Sequence, residues 1–289
     1  MEDIKFKLRQ TLTFIGLMLG MLVLMMLLSL LLPSGSELSA GYMKLMQMLQ
    51  TIMLFIVPAL LWSKFYTNTY FSGLWLNRRL KSGDAIIVVL LMLVGVPAIN
   101  MLGWLNSQIT LPAFMADIEE WMQQLEQKAQ EMTFMLLSGT RVSDLLVNLF
   151  VIALLPAIGE EMTFRGVLMH ICINRNHQTG KPANPHIAIW VCAIIFSFIH
   201  FQFYGFIPRM LVGALFGYLL WYSGSLWLPI VAHFTNNATV VLTTYIYQLS
   251  TGKPLEEMQD LGTEHTWWVG LICLVVSLSG FYLLLRPKK

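Results

Sequence analysis

Long apolar runs, one after another, constrain this 289-residue chain more than any other feature of its sequence. A helix that crosses the hydrocarbon core of a bilayer needs about 20 predominantly apolar residues. Runs at 11–32, 42–62, 85–106, 141–169, 186–201, 207–222, 226–248 and 266–285 approach or exceed that length. They predict an all-α polytopic membrane protein with about eight transmembrane helices in a single membrane domain, 1–289. Only 12% of the residues are charged, against about 25% in an average soluble domain. Little soluble mass is left over. The net charge of +2 comes without a basic cluster, so nothing points to nucleic acid, and the expected surroundings are membrane lipid.

The segments between the runs orient them. The first run is too long for a signal peptide and reads as an uncleaved span. The N-terminus, 63–84, 174–185 and the tail are basic, and the acidic loops fall on the opposite side. The positive-inside rule then places both termini in the cytoplasm, and the expected membrane is a bacterial plasma membrane. Segment 107–140 breaks the pattern. Phe114, Ile118, Trp121, Leu125 and Met132 recur at helical spacing among Asp117, Glu119, Glu120, Glu126 and Glu131. This predicts an amphipathic helix, 113–137, lying on the membrane surface, with a lid as the sharper reading. Pro58 and Pro156 should kink or break their helices, because proline has no amide to donate. Cys172, Cys192 and Cys273 are odd in number and scattered, so they read as packing residues.

Within this apolar chain, 155–168 reads LPAIGEEMTFRGVL. One charge at the centre of a spanning helix costs about 2.5–3.5 kcal/mol on insertion scales. Glu160, Glu161 and Arg165 therefore need partners or water. Glu161 and Arg165 are four apart, share a face and are expected to form a structural ion pair. Glu160 is turned about 100° away and is free to face something else. Three polar residues on other spans are the candidates: His200, His233 and Asn237. At 1.5 Å rise per residue, Glu160 and His200 lie roughly 20 Å from the cytoplasmic ends of their spans and His233 roughly 10 Å. They would meet in a cavity open to the cytoplasm. His170, His177, His186 and His265 lie near segment ends or in loops, and Ser197 reads as packing.

A carboxylate in a dehydrated cavity becomes a better base near neutral pH, and a histidine and an amide can donate to an oxyanion. Together these groups fit hydrolysis of an acyl bond. No serine or cysteine sits in a nucleophile motif, and H-E-x-x-H is absent. Taken one at a time, each polar residue has a plainer reading as a hydrogen bond between helices.

The motifs E-E-x-x-x-R (Glu160 to Arg165), F-x-x-x-H (Phe196 to His200) and H-x-x-x-N (His233 to Asn237) occur in this order on separate spans. The set resembles the CAAX-protease and bacteriocin-processing family of intramembrane glutamate proteases, of the CAAX prenyl endopeptidase type, over a core of 142–248. The resemblance implies an endopeptidase acting on a membrane-associated peptide or protein, prenylated or bacteriocin-like, with no cofactor. It implies that Glu160 activates water with help from His200, and that His233 and Asn237 hold the oxyanion. A two-histidine, one-carboxylate metal site at Glu160, His200 and His233 is the minor alternative. The rival functions are a non-enzymatic immunity or scaffold protein that binds peptide or lipid in the same cavity, and a transporter.

Overall fold

Backbone amides and carbonyls inside a bilayer must be satisfied within their own segment, and the apolar runs meet that demand as helices throughout. The computed structural model describes residues 2–30, 39–173 and 184–286, and no strand occurs among them. The helices are α1 (Glu2–Ser29), α2 (Ala40–Thr67), α3 (Ser82–Ser107), α4 (Ala116–Leu137), α5 (Val142–Cys172), α6 (Pro185–Phe198), α7 (Phe206–Ser223), α8 (Trp227–Thr251) and α9 (Trp267–Leu285). Most of the turn at 33–41, the loop residues Arg175, His177 and Lys181, and the last lysines lie outside the described residues.

Six segments are long and apolar enough to cross a membrane: α1, α2, α3, α5, the α7 segment and the α9 segment. The other two expected spans are helices of a different kind. At 14 residues α6 is shorter than the expected run 186–201, because the chain leaves the helix at Ile199. Helix α8 has 25 residues, but His233, Asn236, Asn237 and a series of threonines dilute its apolar character. The chain is an all-helical, polytopic integral membrane protein.

Neither internal proline breaks its span. Helix α2 carries a π turn at Thr51–Ile56, just before Pro58, and α5 carries one at Leu149–Leu154, just before Pro156. The wider turn accommodates the missing amide, and α5 continues as one helix of 31 residues to Cys172. A second π turn in α5, Met162–Leu168, follows Glu161 directly and contains Arg165.

Helix α5 is at the centre. It packs against α2, α6 and α8. Gly159 permits a close approach to α2: a Cβ there would lie 3.0 Å from Thr51 Cγ2 and 3.1 Å from Phe55 Cβ. One core gathers Trp62, Leu74, Met162, Val167, Ile189 and Leu220 around the second half of α5. Another joins α3, α7, α8 and α9 through Val88, Met92, Phe216, Leu228 and Phe281. Helices α6 and α7 form a hairpin, while α1 and α9 leave most of their side chains facing outward.

The amphipathic helix is present as α4, with a 3-10 turn at Ala113–Met115 leading into it. Its end is tied to α8: Gln248 Nε2 donates to Leu137 O and Gln248 Oε1 accepts from Gly139 N, both at 3.3 Å. Phe114, Trp121 and Met132 are exposed, which suits a helix lying along a lipid surface. Trp121 also contacts Phe203 at 5.6 Å between ring centroids, which places α4 beside the α6–α7 turn.

Candidate active site

Each candidate side chain is placed by a local feature of its helix. On α5, Glu161 and Arg165 face inward and are almost wholly buried, at 0% and 1% exposure. Arg165 Nη1 donates to Glu161 Oε1 at 2.9 Å. Its Nη2 donates to the Gly213 carbonyl of α7 at 2.7 Å. A Cβ at position 213 would stand 3.3 Å from that nitrogen, so glycine opens the approach. The guanidinium is boxed by aromatic rings, with Phe196 at 4.7 Å, Phe216 at 5.4 Å and Phe164 at 5.9 Å. A planar, weakly hydrated cation is suited to such a box.

His233 on α8 completes this group. Its Nδ1 lies 2.8 Å from Glu161 Oε1, and its ring stacks on Phe216 at 5.1 Å with an interplanar angle of 24°. A carboxylate only accepts, so Nδ1 donates. The other ring nitrogen, Nε2, then faces Glu160 Oε2 at 3.8 Å. That separation is electrostatic contact and exceeds a hydrogen bond. Glu160 itself keeps 15% of its side chain exposed and makes no hydrogen bond among the described residues, in contrast to Glu161 one residue on.

His200 lies just past the end of α6, where the chain turns. Its Nδ1 is 2.7 Å from the Phe196 carbonyl, so Nδ1 donates and a neutral ring leaves Nε2 as an acceptor. The Phe196 ring stands between the two histidines, 5.1 Å from His200 and 6.0 Å from His233. The next residue, Phe201, follows the turn with φ 52°, a left-handed conformation that a bulky side chain rarely adopts. The turn is held from outside: Asn106 Nδ2 donates to Phe203 O at 3.0 Å, Asn106 Oδ1 accepts from Ile207 N at 2.9 Å, and buried Ser197 donates to Phe206 O at 2.7 Å. Asn106 is at the end of α3, next to α4 in the chain. His200 therefore lies at the end of the bundle that carries α4, opposite the basic segment before α3. That agrees with the roughly 20 Å that rise per residue puts between His200 and the basic end of its span.

Asn237 is one turn beyond His233 on α8, but its amide is occupied. Nδ2 donates to Ile152 O at 3.4 Å and Oδ1 accepts from Asn236 Nδ2 at 3.2 Å. The carbonyl it reaches belongs to the π turn of α5. Glu160, Glu161, Arg165 and His233 thus form one connected group. His200 joins it through Phe196, and Asn237 stands beside it on α8, bonded to an α5 carbonyl. Among the described residues no three or more His, Cys, Asp and Glu side chains converge in an arrangement that could hold a metal ion.

The remaining histidines lie elsewhere. His170 packs between Trp62 and Trp75, at 5.5 and 5.3 Å, and His186 Nδ1 meets the Tyr218 hydroxyl at 2.7 Å. Two participants were missed by sequence reasoning. The Gly213 carbonyl carries no side-chain signal. Arg209 did carry one: it is an arginine inside an apolar span, the same anomaly that singles out Glu160.

Comparison with known proteins meets this site. Residues 142–239 match the family model described as type II CAAX prenyl endopeptidase Rce1-like. A Bacillus subtilis protein described as the uncharacterized protein YpbD is 33% identical over 95 residues, 32% of this chain and 42% of that protein. The chain thus spans about two-fifths of the length of that relative. No solved structure matches. The matched segment runs from the start of α5 into α8 and takes in all three motifs, so this stretch of the chain is similar to the type II CAAX prenyl endopeptidases, as the order of those motifs led one to expect.

Proposed function

We propose that this protein is an intramembrane endopeptidase that hydrolyses a peptide bond of a membrane-associated substrate through water activated by Glu160. The observation that carries the reading is the contrast between two adjacent carboxylates. Glu161 is sealed by Arg165 and His233, whereas Glu160, beside it, is partly exposed, has no hydrogen bond among the described residues and faces His233 Nε2 at 3.8 Å. A partly exposed carboxylate without hydrogen bonds, beside one held by an arginine and a histidine, is suited to act on something that enters.

In this reading Glu160 accepts a proton from water as the water oxygen attacks the scissile carbonyl carbon. His200 Nε2, an acceptor while Nδ1 is bound to Phe196, orients the second proton of that water. Negative charge develops on the former carbonyl oxygen. His233 donates to it from Nε2 when both ring nitrogens carry protons. Asn237 donates from Nδ2 after exchanging its long bond to Ile152. Collapse of the intermediate breaks the C–N bond, and the proton held by Glu160 passes to the leaving amine. The Glu161–Arg165 pair holds His233 in register and takes no part in proton transfer. The substrate would reach the site within the lipid and would be a peptide or protein tail, prenylated or bacteriocin-like.

The test is comparative peptidomics of proteoliposomes that carry wild-type protein or Glu160→Gln, supplied with the same membrane protein extract. New termini that appear with wild type and not with the variant support the reading. Identical peptide profiles, with both proteins equally folded, would favour a protein that binds peptide or lipid in the cavity without cutting it.

A further inference from the structure

Helix α7 presents one stripe to the site. Phe216 stacks on His233 and the Gly213 carbonyl receives Arg165. Positions 209, 213 and 216 are related by four and seven residues, so they lie on one face. Arg209 is therefore the next group along the face that already lines the site, one turn from Gly213 toward the α4 end. The carboxylates within electrostatic reach of it are Glu126 of α4 and Glu160. His200 feels the same charge.

Arg209 is under-bonded for a guanidinium in such a place. Both of its hydrogen bonds go to Gln202: Nη1 donates to the backbone oxygen at 3.3 Å and Nη2 to Oε1 at 2.9 Å. It makes no ion pair among the described residues. A guanidinium has five donors in a fixed fork that matches a carboxylate. Glu126 is the complementary case. Its Oε2 is buried with no hydrogen-bond partner among the described residues. Burial pushes its carboxyl above the usual range, and the Tyr204 backbone and the Arg209 charge draw it back down. A cation and a carboxylate oxygen, each short of a partner, are held near one another across the gap between α4 and the α6–α7 turn.

We propose that Arg209 is a specificity-determining residue that anchors a carboxylate of the substrate, and that Glu126 of α4 is the internal competitor which that carboxylate displaces. The proposal rests on the peptidase reading of the site. The carboxylate is either the free C-terminus of a peptide or an acidic side chain near the bond to be cut. Helix α4 then closes its end of the site when the site is empty and yields to a substrate bearing the right charge. An apolar peptide without a carboxylate would have to displace Glu126 with nothing to offer Arg209.

Binding is measured by fluorescence anisotropy on Glu160→Gln protein in nanodiscs, so that no probe is cut. The probes are three pools of labelled apolar hexapeptides: one with a free C-terminal carboxylate, one with a C-terminal carboxamide, and one with a carboxamide and a single internal aspartate. At least one carboxylate pool is expected to bind about tenfold more tightly than the plain carboxamide pool, a change of about 1.4 kcal/mol. Which pool does so identifies the source of the carboxylate. Adding Arg209→Gln should abolish the preference, Arg209→Lys should retain part of it, and Glu126→Gln should tighten the carboxylate pool severalfold while leaving the carboxamide pool unchanged. Melting temperatures of the same preparations identify a variant that fails to fold, and Glu126→Gln, altering a side chain outside the spans, tests the competition independently. Equal affinity for all three pools, no binding of any pool, or a preference that survives Arg209→Gln overturns the proposal. Cleavage by protein with an intact Glu160 is scored separately. Its absence, with the carboxylate preference present, would sink the peptidase reading and leave the anchor standing.

Discussion

The site divides into a sealed half and an open half, although the two are built from neighbouring residues. In the sealed half Glu161, Arg165 and His233 bond to one another and to the Gly213 carbonyl inside a box of phenylalanines, and every one of them is buried. In the open half Glu160 has no hydrogen bond among the described residues, Asn237 has a bond of 3.4 Å, and Arg209 reaches only Gln202. Burying charge is costly unless it is paired, and the sealed half pairs its charges through Glu161 Oε1, although Glu161 Oε2 has no hydrogen bond among the described residues. The open half leaves its polar groups less fully bonded, as the proposed peptidase role asks of groups that meet a substrate. The difference separates residues whose loss should unfold the protein from residues whose loss should only silence it.

The largest effect should come from breaking the sealed half. Arg165→Ala leaves Glu161 buried without its main partner, and removing one member of such a pair costs about 3–5 kcal/mol. Folded yield and melting temperature should both fall sharply. Glu161→Gln combined with Arg165→Gln removes both charges and should recover part of the loss. Wild-type melting in both single variants would mean that the pair is not what holds α5 to α7.

Glu160→Gln probes the open half and should behave in the opposite way. Melting temperature is expected to stay near wild type, because the side chain has no hydrogen bond to the described residues to lose. Turnover should fall by at least about 10²-fold, the lower range for a general base. Activity within a few-fold of wild type would remove Glu160 from the chemistry and erase the distinction between the two carboxylates.

Asn237→Ala sharpens the boundary between the halves. If its amide donates to the oxyanion, kcat should fall by about 10²-fold with KM nearly unchanged, since such a donor acts on the transition state. If the bond to Ile152 is its whole role, stability should drop by about 0.6–2 kcal/mol with catalysis per folded molecule intact. Measuring kcat, KM and melting temperature on one preparation decides to which half Asn237 belongs.

Much of this arrangement was legible in the sequence, for a physical reason. Charges in apolar runs are conspicuous because lipid penalises them, so Glu160, Glu161 and Arg165 stood out, and helical periodicity gave the pairing of Glu161 with Arg165. Apolar length gave the helices, and the acidic face gave α4. What was hidden follows equally from physics. The π turns depend on how α5 accommodates Pro156 against α2 and α8, which local sequence does not encode. The shared use of Glu161 Oε1 by Arg165 and His233 joins residues 72 apart, and the Gly213 carbonyl is a backbone group with no side chain to betray it. Counting rise per residue put His200 far from the basic end of its span, where it is found, but did not give the departure of the chain from the helix at Ile199 that turns the histidine.

That departure supplies the smallest test. Phe201 adopts φ 52°, where a bulky side chain is strained by about 1–3 kcal/mol, immediately after His200. Its ring is 49% exposed, so truncating it forfeits little burial. Glycine at this position relieves the strain but adds freedom to the unfolded chain. The net expectation is a gain of about 0.5–1 kcal/mol for Phe201→Gly over Phe201→Ala, which keeps a Cβ and therefore the strain. If the strained turn serves to aim His200 into the open half, the stabilised Phe201→Gly protein should lose activity severalfold as the turn loosens, while Phe201→Ala keeps it. A gain in stability with unchanged kcat would show the strain to be incidental to His200. No gain over alanine would show that the left-handed turn is held without strain, and the open half would then be under-bonded but not stressed.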